Sequence, residues 1–185
     1  MTRIGITLPL LNNTISGISD MAVAAEDAGF DTAFDYQYCR NVFMGLSQAS
    51  LQTKRIQLGT GLAAILPRTP FETANLIADV DEMSDGRAIL GIGLGTPQFM
   101  GMFHGMPTNR PVARTREYVQ MIRASWDFMS KGTAAEIAGE FHSMAIPSEV
   151  PWGLRPLVRD RIPIYIAAYG PKMIQLVGEI GDGLL

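Results

Sequence analysis

Hydrophobic positions in this chain alternate between two arrangements. Short unbroken apolar runs of strand length are separated by stretches in which apolar residues recur every three or four positions. RIGITLP, residues 3–9, reads as a strand that stops at Pro9. SDMAVAAEDA, 19–28, reads as a helix capped by Ser19 and ended by Gly29 at the C′ position. FDTAFDY, 30–36, is a strand with an unusual Asp35 inside it, and 42–53 is a helix. RIQLGTGLAAI, 55–65, is a third strand. Thr69-Pro70-Phe71-Glu72 is a capping box with proline at the first helical position, and the helix it opens runs to about Ser84, ahead of Gly86. A strand over 87–94, a loop of about 15 residues and a helix over about 112–130 come next, with Ile122, Trp126 and Met129 on one stripe. Residues 131–161 form an irregular insertion with a small hairpin at AEIAGEFHSMAI. IPIYIAAYG, 162–170, is a fifth strand, Pro171 opens a helix that ends near Gly181, and 182–185 begins a sixth strand.

Continuous apolar strands separated by helices point to a parallel sheet, either doubly wound or closed into an eight-stranded barrel. The runs RIQLGTGL and RAILGIGL share one grammar, with small residues at their carboxyl ends. That repetition suits a barrel, whose ligand sits over the carboxyl ends of several strands. A whole barrel needs eight strands and about 250 residues. The 185 residues are therefore expected to be one domain, an amino-terminal part of a longer barrel. An open sheet, or a barrel completed between chains, is the other possibility.

Composition narrows the function classes. Hydrophobic residues make up 47% and charged residues 18%, a globular balance. A net charge of −3 lacks the basic footprint of a nucleic-acid protein. No run approaches the length of a membrane span, and Cys39 is alone, which leaves no disulfide framework or cysteine metal cluster. The MTRIGITLPLLNN start shows no cleavage pattern, so the expectation is a cytoplasmic protein.

RAILGIGLGTPQF, 87–99, carries Gly91, Gly93 and Gly95 at every second residue. A dinucleotide loop needs G-x-G-x-x-G opening a helix; here Thr96-Pro97-Gln98 follows, and the third glycine is absent. Alternating glycines instead strip side chains from one face of a strand, where a ligand or another backbone approaches closely. A flat ring across the strand end would be such a ligand.

Four stretches carry a resemblance: AAEDAGFDTAF, TKRIQLGTGLAAILPRTPFETA, DEMSDGRAILGIGLG and RIPIYIAAYGPKMIQLVGEIGDG. In this order they resemble the luciferase-like flavin-dependent monooxygenases and their deazaflavin relatives. The last is similar to members that use coenzyme F420. The resemblance implies a (β/α)8 TIM barrel of the bacterial-luciferase type, of which about the first five strands are present. It implies FMN or coenzyme F420 as cofactor, with the ring across the strand ends. Gly91, Gly93 and Gly95 would clear room for that ring, and a non-proline cis peptide would fall on Gly61-Leu62. Cofactor contacts would be Gly61, Leu62, Ala64, Gly93, Leu94 and Gly95, with Ala167, Ala168, Gly170, Pro171 and Lys172 toward the phosphate. The amide groups at the start of the helix after Gly170 suit an anion; an ordinary strand-to-helix turn is the other reading of that segment.

The chain departs from the family after the second strand. Many members carry an Asp-His pair there that contacts cofactor and shuttles protons; this chain has Gln37 and Tyr38. Glutamine is no acid or base, and an unshifted tyrosine, with a pKa near about 10, is a poor proton carrier. Thr96 stands where the family's sugar-phosphate dehydrogenases carry glutamate. Met100, Phe103 and His104 in the following loop would line an apolar substrate pocket, with Met102 and Met106 nearby. His142 is expected at the surface, Cys39 buried as a small hydrophobe, and Arg110, Arg114, Arg116 and Arg123 on a salt-bridged face. No metal-ligand spacing is present. The resulting expectation is an oxidoreductase that transfers hydride, or activates oxygen, on a small organic substrate and is homo-oligomeric at full length. The alternative is a non-catalytic flavin-binding protein or a truncated paralogue without turnover.

Overall fold

The protein, seen as a computed structural model, is described over residues 3–8, 14–151, 153–159 and 161–185. The expected strand stop at Pro9 lies outside these residues. Strands and helices alternate: β1 (Gly5–Thr7), α1 (Ile15–Asp27), β2 (Thr32–Asp35), α2 (Val42–Gln52), β3 (Gln57–Thr60), β4 (Ala63–Ala64), α3 (Pro70–Met83) and β5 (Ala88–Gly93). The chain continues with α4 (Pro97–Phe99), a π turn (Met100–His104), α5 (Pro111–Lys131), the hairpin β6 (Ala135–Ala138) and β7 (Ser143–Ile146), β8 (Ile164–Ile166), α6 (Pro171–Ile180) and β9 (Gly183–Leu184).

Two boundaries differ from the sequence reading. α1 begins four residues before Ser19, because Thr14 caps it, accepting the Gly17 N–H at 3.0 Å. Ser19 lies instead on the buried stripe with Ile18 and Ala22. The expected loop after Gly95 contains α4, capped by Thr96, and the π turn, which ends at the left-handed Gly105.

The main sheet is parallel, ordered β1-β2-β3-β5-β8-β9, with β4 beside β5. Sequential strand order distinguishes this sheet from a doubly wound one, in which the order reverses part-way. Successive helices pack on one another, α1 on α2, α2 on α3, α3 on α5 and α5 on α6. Right-handed crossovers in one direction therefore leave all of them on one face, and the sheet curls as half of a barrel. Between the layers, Leu58, Leu90, Ile92, Ile164 and Ile166 meet Ile18, Leu46, Ile77, Ile122 and Trp126, all buried.

On the inner face two rings fill space left by glycines. Phe34 lies over Gly59, where an added Cβ would sit 2.4 Å from its ring, and Tyr165 lies over Gly183 at 2.6 Å. The two rings are 6.3 Å apart.

Asp35 points the other way, into the helix layer, at 1% exposure. Its Oδ1 accepts the Tyr36 N–H at 2.8 Å, while Oδ2 packs toward Gly45 and Ile18 with no partner among the described residues. Burial raises its pKa, against the opposing pull of the Tyr36 N–H and the Arg40 charge. A raised native pKa means that the folded state holds the proton more tightly. Stability then falls as pH rises from the ordinary carboxyl range through the native value. Asp35→Asn should raise the melting temperature at neutral pH by about 2–4 °C, the equivalent of about 1 kcal/mol in a chain of this size. Thermal melts should show the gain shrinking as pH approaches about 4, where the unfolded carboxyl titrates.

Candidate functional site

The site is organised by one extra residue. Gly59 pairs with Ile89 and Ala63 with Ile92, so four steps along β3–β4 span three along β5, which is a β-bulge. Thr60 holds it from both sides. Its hydroxyl donates to the Gly91 carbonyl at 2.6 Å and accepts the Gly91 N–H at 2.8 Å. The Gly61–Leu62 peptide is cis. Past the bulge, the Ala64 N–H donates to Gln37 Oε1 at 3.1 Å, which ties β4 to the end of β2.

Above the bulge, at the carboxyl ends of the strands, lies a cavity of about 530 Å³, within the range of small-molecule sites. Leu62 and Ala64 supply one wall, Leu94 and Gly95 the next, and Ala167, Ala168 and Gly170 the third. Tyr36, Gln37 and Tyr38 close the β2 side, and Thr96, Pro97, Phe99 and Met100 the side of the short helix. This lining contains no Asp, Glu, Lys, Arg or His.

A cationic groove of about 780 Å³ continues from it, sharing Pro111, Gly170 and Met173 and adding Pro171, Lys172, Arg110 and Arg116. It opens at the start of α6, where Gly170 has no side chain to cap the first-turn amides. Arg110 is bonded to Glu140 and Arg116 to Glu179, whereas Lys172 forms no ion pair among the described residues. Another apolar cavity, about 590 Å³, lies between α3, α5 and the hairpin, against Phe71, Met121, Phe128 and Met144. It is slightly larger, but it is remote from the strand ends where barrel ligands collect.

The model of the luciferase-like monooxygenase family matches residues 2–185. The chain belongs to that family. Among its relatives, this luciferase-like chain is 35% identical over 175 residues to a putative coenzyme F420-dependent oxidoreductase of Mycobacterium tuberculosis, covering 90% of this chain and 50% of the relative. It is 38% identical over 163 residues to the 5,10-methylenetetrahydromethanopterin reductase of Archaeoglobus fulgidus, covering 87% of this chain and 46% of the relative. The solved structure of the coenzyme F420 dependent tetrahydromethanopterin reductase from Methanopyrus kandleri superposes with a TM-score of 0.83 at 27% identity, over 98% of this chain and 55% of that one. The chain spans about half the length of the curated relatives it matches. Its half-barrel is that of the luciferase-like TIM barrels.

Of the two uses expected of its glycines, the luciferase-like sheet shows the close approach of neighbouring protein atoms, while Gly95 also lines the cavity. The glycines make room for the protein itself. A Cβ at Gly91 would stand 1.9 Å from the Thr60 carbonyl oxygen, and one at Gly93 would be 2.8 Å from Leu62 Cδ2. Gly95, at a φ of 80°, sits under the Met100 side chain. Gly61 packs on Phe34 and, like Gly93, stays out of the cavity wall. The bulge and Leu62 that these contacts seat are what face the cavity.

Other expected positions divide. Met100 is buried in the wall, whereas Phe103 and His104 stand outside it, their rings against Phe99 at 4.9 and 5.7 Å. Tyr38, 44% exposed, stacks at the rim 5.8 Å from Phe99, and its hydroxyl has no partner among the described residues. Gln37 is 9% exposed. Cys39 is exposed instead of buried, because it follows the strand end on the turn before α2. His142 is half-buried rather than at the surface. Glu117 accepts its backbone N–H at 2.6 Å, and its ring lies edge-on to Tyr118 at 5.7 Å. Arg110, Arg116 and Arg123 are ion-paired as expected, whereas Arg114 forms no ion pair among the described residues; it donates to Asn109 and lies over the Phe141 ring at 4.1 Å.

Sequence reasoning missed Pro97, Phe99, Met173 and, behind Gln37, Arg68. The proline and the aromatic follow the glycine run directly, so a search for apolar residues beside Gly95 finds them. Nothing local marks Arg68, whose partner is 31 residues away.

The glycine contacts make a sharp prediction. Gly91→Ala should lose about 3 kcal/mol or more, because the obstructing atom is backbone. Gly101→Ala, where an added Cβ meets nothing within 4 Å, should stay within about 1 kcal/mol of the parent. Urea unfolding of the two variants checks both.

Proposed function

We propose that this protein is an oxidoreductase that carries a flavin-type ring in the mouth cavity, with coenzyme F420 preferred over FMN, and that its substrate is a small uncharged organic molecule. The observation that carries this reading is a charge-free cavity joined to a cationic groove. An apolar, flat-walled chamber made by Leu62, Leu94 and Ala167 suits a planar ring. The adjoining groove, with Lys172 and the uncapped start of α6, suits an anionic tail. The groove extends past the helix start along Arg110 and Arg116, each already paired with a glutamate, so its length suits a long tail over a single terminal phosphate and Lys172 supplies its unpaired charge. Similarity to F420-dependent relatives supports the same choice.

When bound, such a ring supplies the hydride chemistry. The chain's own residues hold and shield it. Leu62 and Ala167 support its face, Met100 and Phe99 exclude water, and Gln37 offers a hydrogen bond. Tyr38 at the rim meets the substrate. With Gln37 in place of a titratable partner, no described side chain in the cavity wall other than tyrosine carries an exchangeable acidic proton. Proton delivery in this reading therefore falls to Tyr38, Tyr36 or Tyr169, or to solvent.

Fluorescence titration with F420 and, separately, FMN tests the proposal. F420 should bind at micromolar or tighter concentrations and more strongly than FMN; binding of neither would reject the cofactor. Lys172→Ala should weaken F420 and FMN by about two- to fivefold, less at high salt, as an exposed cation does. Riboflavin, which has no phosphate, should be unaffected.

A further inference from the structure

Arg68 is a half-buried cation with no carboxylate partner. It forms no ion pair among the described residues. Its Nη1 donates to Gln37 Oε1 at 2.7 Å and more weakly to the Ala64 carbonyl at 3.4 Å, and its guanidinium lies 5.5 Å from the centre of the Phe43 ring. The carbonyl that precedes its own helix start is engaged by Tyr118, whose hydroxyl is buried between Thr73 and the Arg68 and Thr69 carbonyls. Burial lowers the Arg68 pKa, with Tyr118 and Glu72 acting against the shift. A half-buried cation with no carboxylate in contact, only the longer-range pull of Glu72, gains from added negative charge nearby.

Gln37 shows where that charge is felt. Its side-chain oxygen accepts two N–H groups, from Arg68 and from Ala64. Reversing the amide would set N–H against N–H, so the orientation is fixed. Its NH2 group then has no acceptor among the described residues, although the residue is nine-tenths buried and lines the cavity. An unpartnered donor that opens into a charge-free chamber is free to meet an acceptor from the ligand.

We infer that Gln37 is a fixed hydrogen-bond donor to an acceptor atom of the bound ring and that Arg68 is its positioning residue, and that together they favour the electron-rich reduced form of the cofactor over the oxidised one. The inference rests on the cofactor reading above. Arg68 withdraws electron density through the Gln37 carbonyl, which strengthens the amide N–H as a donor. The Asp-His pair expected of many family members is thereby replaced by a neutral amide backed by a permanent cation. Such a device does not titrate near neutral pH, since arginine stays charged.

The test is the midpoint potential of bound F420 and of bound FMN, with dissociation constants for both oxidation states measured anaerobically. Arg68→Met should lower the preference for the reduced form about tenfold, a drop of about 30 mV for a two-electron couple. Arg68→Lys should recover at least half of that shift. Gln37→Leu should give a shift like that of Arg68→Met, and the double variant no more than either, as expected of residues acting in series. If Arg68 merely braces the Ala64 bulge, both oxidation states will weaken together and the potential will not move, which overturns the inference while leaving the cofactor reading intact. Failure of the unaltered protein to bind either cofactor overturns both.

Discussion

The contact between Thr60 and Gly91 governs this molecule. Two strands approach so closely there that the second has no room for even a methyl group. The Thr60 hydroxyl uses that proximity to bond both backbone groups of Gly91. The extra residue of β3–β4 is thereby placed between two fixed points, Thr60 below and the Ala64–Gln37 bond above. Leu62 has one direction left, toward the mouth. The apolar floor of the cavity, the seat of Gln37 and the reach of Arg68 all depend on that arrangement.

The two ends of the barrel divide the work. At the amino-terminal end, charges are satisfied by backbone. Arg87 donates to the Ser50, Thr53 and Ile56 carbonyls, and the Glu26 carboxylate accepts the N–H groups of Lys54, Arg55 and Ile56. Burial works against ionised Glu26, but these N–H groups prevail and hold its pKa below the usual carboxylate value. At the carboxyl end a few polar groups are left unpaired among the described residues. The Gln37 NH2 group, the Tyr38 hydroxyl and the Lys172 N–H of the first turn of α6 have no partner among the described residues. A surface saturated at one end and unsaturated at the other is what a scaffold with a binding mouth requires.

Much of this was legible in the sequence. Capping boxes, glycine stops and short apolar runs locate nearly every element, because those signals act within a few residues. Thr69 caps α3 as read, with Pro70 at its first position. Thr14 was overlooked because the capping geometry of Ser19 is just as good locally, and only burial of Ser19 on the inner stripe decides between them. The glycines read as clearing space for a ligand or another backbone; Thr60 of the neighbouring strand, Leu62 and Met100 enter it, and a register shift of one residue is invisible in a single run. Arg68 was missed for the same reason. Its neighbours, Gln37 and Phe43, come from different elements, and a half-buried cation in LPRTP looks like any solvent-facing arginine until the fold brings them together.

The central claim is that the bulge at Gly61–Leu62 builds a ring-binding mouth. A co-crystal structure with coenzyme F420 addresses it most directly. The ring should lie against Leu62, Leu94 and Ala167, within hydrogen-bond reach of Gln37, and its tail should run past Gly170 and Lys172. A ring seated in the apolar cavity between α3, α5 and the hairpin, or one that leaves Gln37 without a partner, would contradict the account.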